Sequence, residues 1–146
     1  MDTILTTLNE TLNDLRSDVE THKSIVEDAR EYVTRAKADL DEAQEELNTV
    51  MAAEKTKREE HDNWLRFCNG EPNRGTPAMH VKLNQLSKEA NALTNLLAPA
   101  RVKVNQKRQK SEHAIGALAF NEERLKNKDR ECSAMEERLR QLAGEN

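Results

Sequence analysis

Apolar residues recur at alternating intervals of three and four from Leu5 onward, and the alternation does not slip before Cys68. The series runs through Leu5, Leu8, Leu12, Leu15, Val19, His22, Val26, Ala29, Val33, Ala36, Leu40, Ala43, Leu47, Val50, Glu54, Lys57, His61 and Trp64. A 3.5-residue period sustained over such a length keeps one seam of a helix facing one partner, which is the signature of a coiled coil. The polar members collect toward the end of the series. After a break the alternation resumes at Leu83 and continues through Leu86, Ala90, Leu93, Leu97, Ala100, Val104, Lys107, Ser111, Ala114, Leu118, Asn121, Leu125, Lys128, Cys132, Met135 and Leu139 to Leu142.

The break is the stretch CNGEPNRGTPAM, Cys68 to Met79, which holds two of the chain's four glycines and two of its three prolines. Asn69 and Gly70 stand where a helix end takes a left-handed residue. Thr76 before Pro77 reads as an N-cap followed by the favoured first-turn proline. The sequence therefore predicts helices over about 2–68 and 77–143 joined by a turn at 69–76. So short a connection makes the helices antiparallel neighbours, and the fold class all-α: a long two-helix coiled-coil hairpin forming a single domain, or dimerising into a four-helix bundle.

Composition agrees with a thin fold. Of 146 residues, 34% are charged and 3% aromatic, and the mean hydropathy is −0.93, which rules out a thick globular core. The apolar patterning separates the chain from a disordered one of similar hydropathy. No apolar run matches a membrane span, and the start of the chain lacks the layout of a signal peptide. Two cysteines, Cys68 and Cys132, make no disulfide framework, so the expected setting is cytoplasmic and reducing. At about 1.5 Å per residue each arm is on the order of 95 Å long, which puts these two thiols roughly 80 Å apart, far beyond disulfide reach.

Folding the second helix back with Trp64 opposite Leu83 pairs seam positions whose numbers sum to 147, such as Leu12 with Met135, Ala29 with Leu118 and Leu47 with Ala100. Each polar seam residue then faces an apolar one: His22 faces Leu125, Lys57 faces Ala90, Lys107 faces Leu40 and Asn121 faces Val26. Flanking charges are expected to pair as Asp39 with Lys110, Glu46 with Lys103, Arg16 with Asp129 and Lys23 with Glu122, whereas Lys37 meets Arg108. Residues 1–68 carry 17 acidic and 9 basic side chains, net −8, and the remainder 10 and 14, net +4, which favours the halves lying side by side.

Pro99 interrupts the second arm at a cost of about 3 kcal/mol. With no capping residue directly before it and the heptad in phase across it, a kink is expected there; a full break into a three-helix bundle is the alternative. Small seam residues around Ala29, Val33, Ala36, Ser111 and Ala114 make a second thin region.

Chemistry has few candidates. His61, Cys68 and His80 gather near the turn, with Glu71 a poor fourth ligand, and their spacing matches no zinc signature. Neither metal nor cofactor is expected. A cysteine nucleophile needs a base and a cleft that two helices do not supply, and CNGEPNRG is not a phosphate loop. The expectation is a non-enzyme. The basic stretch RVKVNQKRQK, Arg101 to Lys110, would lie against the acidic DLDEAQEE, Asp39 to Glu46; it has no interleaved aromatics, and nucleic-acid binding through the basic second helix stays an alternative.

Surface for protein partners remains. Ile25, Tyr32 and Ala53, with Ile4 and Phe67, share one flank of the first helix, joined by Leu96 and Ala117 from the second; Met51, Leu65 and Ile115 lie on the other flank, and Phe120 points further out. Near the turn, Trp64, Leu65, Phe67 and Met79 form the second candidate interface, with Trp64 closing the end of the seam. The expected function is that of an adaptor, spacer or scaffold, or inhibitor, acting through the turn end and the apolar flank, with a homodimer as one outcome. In shape such a hairpin is similar to export-apparatus stalk proteins, prefoldin-type chaperones and phage scaffolding or host-inhibitor proteins; no motif assigns the chain to any of them.

Overall fold

The computed structural model describes residues 2–70 and 75–144. They form two α-helices, α1 over Asp2–Gly70 and α2 over Pro77–Gly144, packed against each other as a hairpin. No strand occurs among the described residues. Every seam position from Leu5 to Cys68 and from Leu83 to Leu142 is buried or half-buried, so the heptad dictates which stripe of each helix leaves water.

Packing divides the chain into two units. The first comprises Met1–Ala36 with Lys110–Asn146. Its core contains Leu12, Val19 and Cys132 with Leu15, Leu125, Met135 and Leu139 packed against them, and a second cluster of Val33, Ala36 and Ala114 with Leu118. Leu12 and Met135 share a cluster, as the 147 register requires. The second unit, Lys37–Gln109, is built on Ala43, Leu47, Leu97 and Val104, with Leu40, Val50 and Ala100 packed against them. Leu47 and Ala100 likewise belong to one cluster, as the register requires. Each fully buried leucine contributes about 1.5–3 kcal/mol through surface removed from water, and a two-helix seam has no other core to draw on.

Two boundaries differ from the sequence reading. Helix α1 continues through Asn69 to Gly70, so neither residue is the left-handed stop. The left-handed glycine is instead Gly75, directly ahead of the Thr76 cap of α2, whose φ is +91°, a conformation with almost no steric cost for glycine alone. Helix α2 also runs one residue further, to Gly144. Of the turn, Glu71 to Arg74 lie outside the described residues. The start of α2 is as expected: the Met79 N–H donates to Thr76 Oγ1 at 3.3 Å, and the His80 N–H to the Thr76 carbonyl at 3.1 Å, while Pro77 takes the first turn, where its missing N–H is not needed. Helix α2 passes through Pro99 without a break, which removes the three-helix alternative; Pro99 and Asn95, whose carbonyl it cannot satisfy, are both exposed.

Candidate interaction surfaces

The turn end belongs to the second unit and is ordered around Trp64. The indole Nε1–H donates to the Met79 carbonyl at 2.9 Å, Lys82 Nζ stands 4.4 Å from the ring centroid, and the Phe67 ring lies 5.3 Å away, tilted by 31°. These contacts tie the last turns of α1 to the first turn of α2. Cys68 is only 1% exposed, and a Cβ added at Gly75 would stand 3.4 Å from the Cys68 Cβ and 3.5 Å from the Met79 sulfur. The backbone passes closely over the thiol. Of the four residues expected at this surface, Trp64 and Met79 are half-buried and build it, whereas Leu65 and Phe67 are exposed and Phe67 shows 53% of its surface. Val81, also exposed, borders an open depression of about 450 Å³ lined by Lys57, Glu60, Ala78, Val81, Lys82, Gln85, Leu86 and Glu89.

The flank residues divide between the units. In the first unit Ile25, Tyr32 and Ala117 are exposed, and Phe120 more so, with the Arg124 guanidinium 5.7 Å from its ring centroid. In the second, Leu96 is exposed, but Ala53 is half-buried and offers little to a partner.

The seam lysines form an arrangement that heptad counting alone did not anticipate. Lys57 Nζ reaches Glu89 Oε2 at 3.0 Å and Glu60 Oε2 at 3.3 Å, and in the other unit Lys128 reaches Asp18 at 4.0 Å and Glu131 at 3.5 Å. In both, a seam lysine bridges an acid three residues ahead on its own helix and one on the opposite helix. Lys107 reaches Asp39 at 3.9 Å. All three cross-helix pairs have residue numbers that add to 146. The long side chain lays its methylenes along the seam and carries its charge to the flank. The amine of Lys57 is raised above its usual range by hydrogen bonds to Glu89 and then Glu60, and the Glu89 carboxyl is lowered chiefly by Lys57. The readable signal was a seam lysine followed by an acid at the third residue. Near the Lys57 bridge, Arg58 pairs with Glu54 and donates to Thr94 Oγ1 at 2.6 Å.

Of the expected flank pairs, Lys103 meets Glu46 at 2.8 Å, which raises the lysine. The others are replaced: Asp39 takes Lys107 rather than Lys110, Arg16 takes Glu136 at 3.3 Å rather than Asp129, and Lys23 turns to Glu20 on its own helix. For Arg16 the reason is geometric. Helical side chains lean toward the N-terminus of their own helix, which on the flank that carries Arg16 favours a partner of higher number sum. Arg16 with Glu136 and Arg58 with Thr94 both add to 152.

Among the described residues, no three His, Cys, Asp or Glu side chains gather as metal ligands. His61 lies 3.5 Å from Asp62, and Glu71 is outside the described residues. No described helix is long and apolar enough to cross a membrane. Burial raises the Cys132 thiol above its usual range, and the neighbouring Glu136 adds to it.

Fold and surfaces together define the class: an antiparallel two-helix coiled-coil hairpin with an aromatic turn end. Comparison with known protein families, curated proteins and solved structures finds no match to the chain.

Proposed function

We propose that the hairpin is a non-enzymatic protein–protein interaction module, an adaptor, spacer or inhibitor that engages its partner chiefly through the turn end. The observation that carries this is the fixed presentation of Phe67: its ring packs on a Trp64 that is itself tied to the Met79 carbonyl, yet more than half of Phe67 faces water. Aromatic anchors held in place before binding lose little entropy on association and dominate interface energetics. Leu65 and Val81 are further exposed apolar residues of the turn end.

Two observations weigh against the other readings. Lys57, at the open depression, is held charged by two carboxylates, the opposite of the lowered amine a catalytic lysine needs. In the basic stretch, Lys103 and Lys107 are engaged by Glu46 and Asp39, which leaves less charge for a phosphate backbone. Free cysteines suit a cytoplasmic, reducing setting. The test is affinity capture with the intact chain beside Phe67→Glu: specific capture lost in a variant of unchanged helicity supports the reading, and equal capture by both overturns it.

A further inference from the structure

We propose that the first unit's flank around Ile25 and Tyr32 is covered by a second copy of the same chain, related by a two-fold axis parallel to the helices, so that each α1 lies antiparallel on α2 of the other copy. This rests on the interaction reading above and names the occupant of one of its surfaces.

Two observations point to a second copy. The first is charge. On this flank α1 presents Asp14 and Asp28 and α2 presents Arg124 and Arg138, and among the described residues none of the four enters an ion pair within the chain. Along most of this flank one helix thus offers unpaired carboxylates, with the Arg35 guanidinium at its far end, and the other unpaired guanidinium groups. Laying α1 on α1 would bring the carboxylates together; laying α1 on the other copy's α2 satisfies both sets, twice over by symmetry.

The second is register. Within the chain, flank residues of the antiparallel pair meet where their numbers add to 149, as Lys103 does with Glu46, or to 152, as Arg16 does with Glu136 and Arg58 with Thr94. About an axis parallel to the helices, α1 and α2 of the second copy are again antiparallel and at the same height, so side chains meet across copies at sums in the same range. A sum of 152 across copies places Asp14 opposite Arg138, Asp28 opposite Arg124 and Tyr32 opposite Phe120. Two opposite-charge pairs and one aromatic pair fall in register. Tyr32 and Phe120, 43% and 62% exposed in the single chain, would cover each other, giving the four-helix arrangement its apolar centre.

The experiment is the molar mass of the full chain by sedimentation equilibrium, for the wild type, Asp28→Arg, Arg124→Asp, the double charge swap and Tyr32→Glu, each checked for helicity by circular dichroism. The wild type is expected to be a dimer. Either single reversal raises the dissociation constant at least about tenfold, the double swap restores it, and Tyr32→Glu gives a monomer. A monomeric wild type, a dimer indifferent to Asp28→Arg or Tyr32→Glu, or a double swap that restores nothing overturns the proposal. Capture through the turn end, read by Phe67→Glu, is a separate measurement, so loss of the dimer and loss of the interaction reading are told apart.

Discussion

Lys57 Nζ lies 3.0 Å from Glu89 Oε2, across the two helices, at a seam layer whose opposite member is Ala90. An amine that stayed in that layer would be buried without a counter-charge, a costly arrangement. Because Ala90 leaves room and Glu89 stands one residue nearer the flank, the lysine escapes sideways and pins the register as it does so. The bridge has a pH signature. Glu89 is lowered in the fold, so its contribution is present above the unfolded carboxyl range and is lost as pH falls through the folded value. Lys57 is raised, so its contribution is present below the unfolded amine range and is lost as pH rises through the folded value. Thermal melts of Glu89→Gln should therefore differ most from wild type between these limits and converge with it in acid. An unchanged difference at low pH contradicts the bridge. Added salt should shrink it, since both side chains are partly exposed to solvent.

Leu97 and Leu96 are adjacent, one in the core cluster and one exposed. Leu97→Ala should cost about 2–5 kcal/mol in urea unfolding. Leu96→Ala should change stability by less than about 0.5 kcal/mol. Equal effects would mean that the seam is wrongly placed.

Gly75 and Gly116 should respond with opposite signs. At Gly75 the positive φ and the close approach of Cys68 and Met79 make Gly75→Ala destabilising by about 1–2 kcal/mol. Gly116 is helical with open space around its Cα, so Gly116→Ala should stabilise by about 0.5–1 kcal/mol. Denaturant midpoints of the two variants check both signs.

Both thiols are buried, and the Cys132 thiol is held above its usual range. Thiolates are the reactive form, so alkylation of Cys132 should track unfolding rather than time in native buffer. Rapid native labelling of Cys132 would contradict its place in the Leu12 and Val19 cluster.

The seam was legible because a 3.5-residue period has one structural reading: Leu5, Leu47, Leu97 and Leu142 each lie where the period puts them. The cap at Thr76 was legible for the same reason, a specific residue type ahead of proline. The end of α1 was not: Asn69 and Gly70 read as a helix stop, yet both are helical, and the left-handed glycine is Gly75, close to Cys68 and Met79 ahead of the α2 cap. Flank partners were misread where counting took Arg16 straight across to Asp129 and ignored the lean that carries it to Glu136. Ala53 shared a heptad position with Ile25, but so short a side chain does not reach beyond its neighbours, and it ends half-buried.

The most direct test of the account compares capture by the wild type, Phe67→Glu and Ile25→Glu side by side. Phe67→Glu is expected to lose the captured partner while remaining folded, and Ile25→Glu to lose self-association but still capture it. Capture by Phe67→Glu at the wild-type level would contradict the claim that the turn end is where this hairpin does its work.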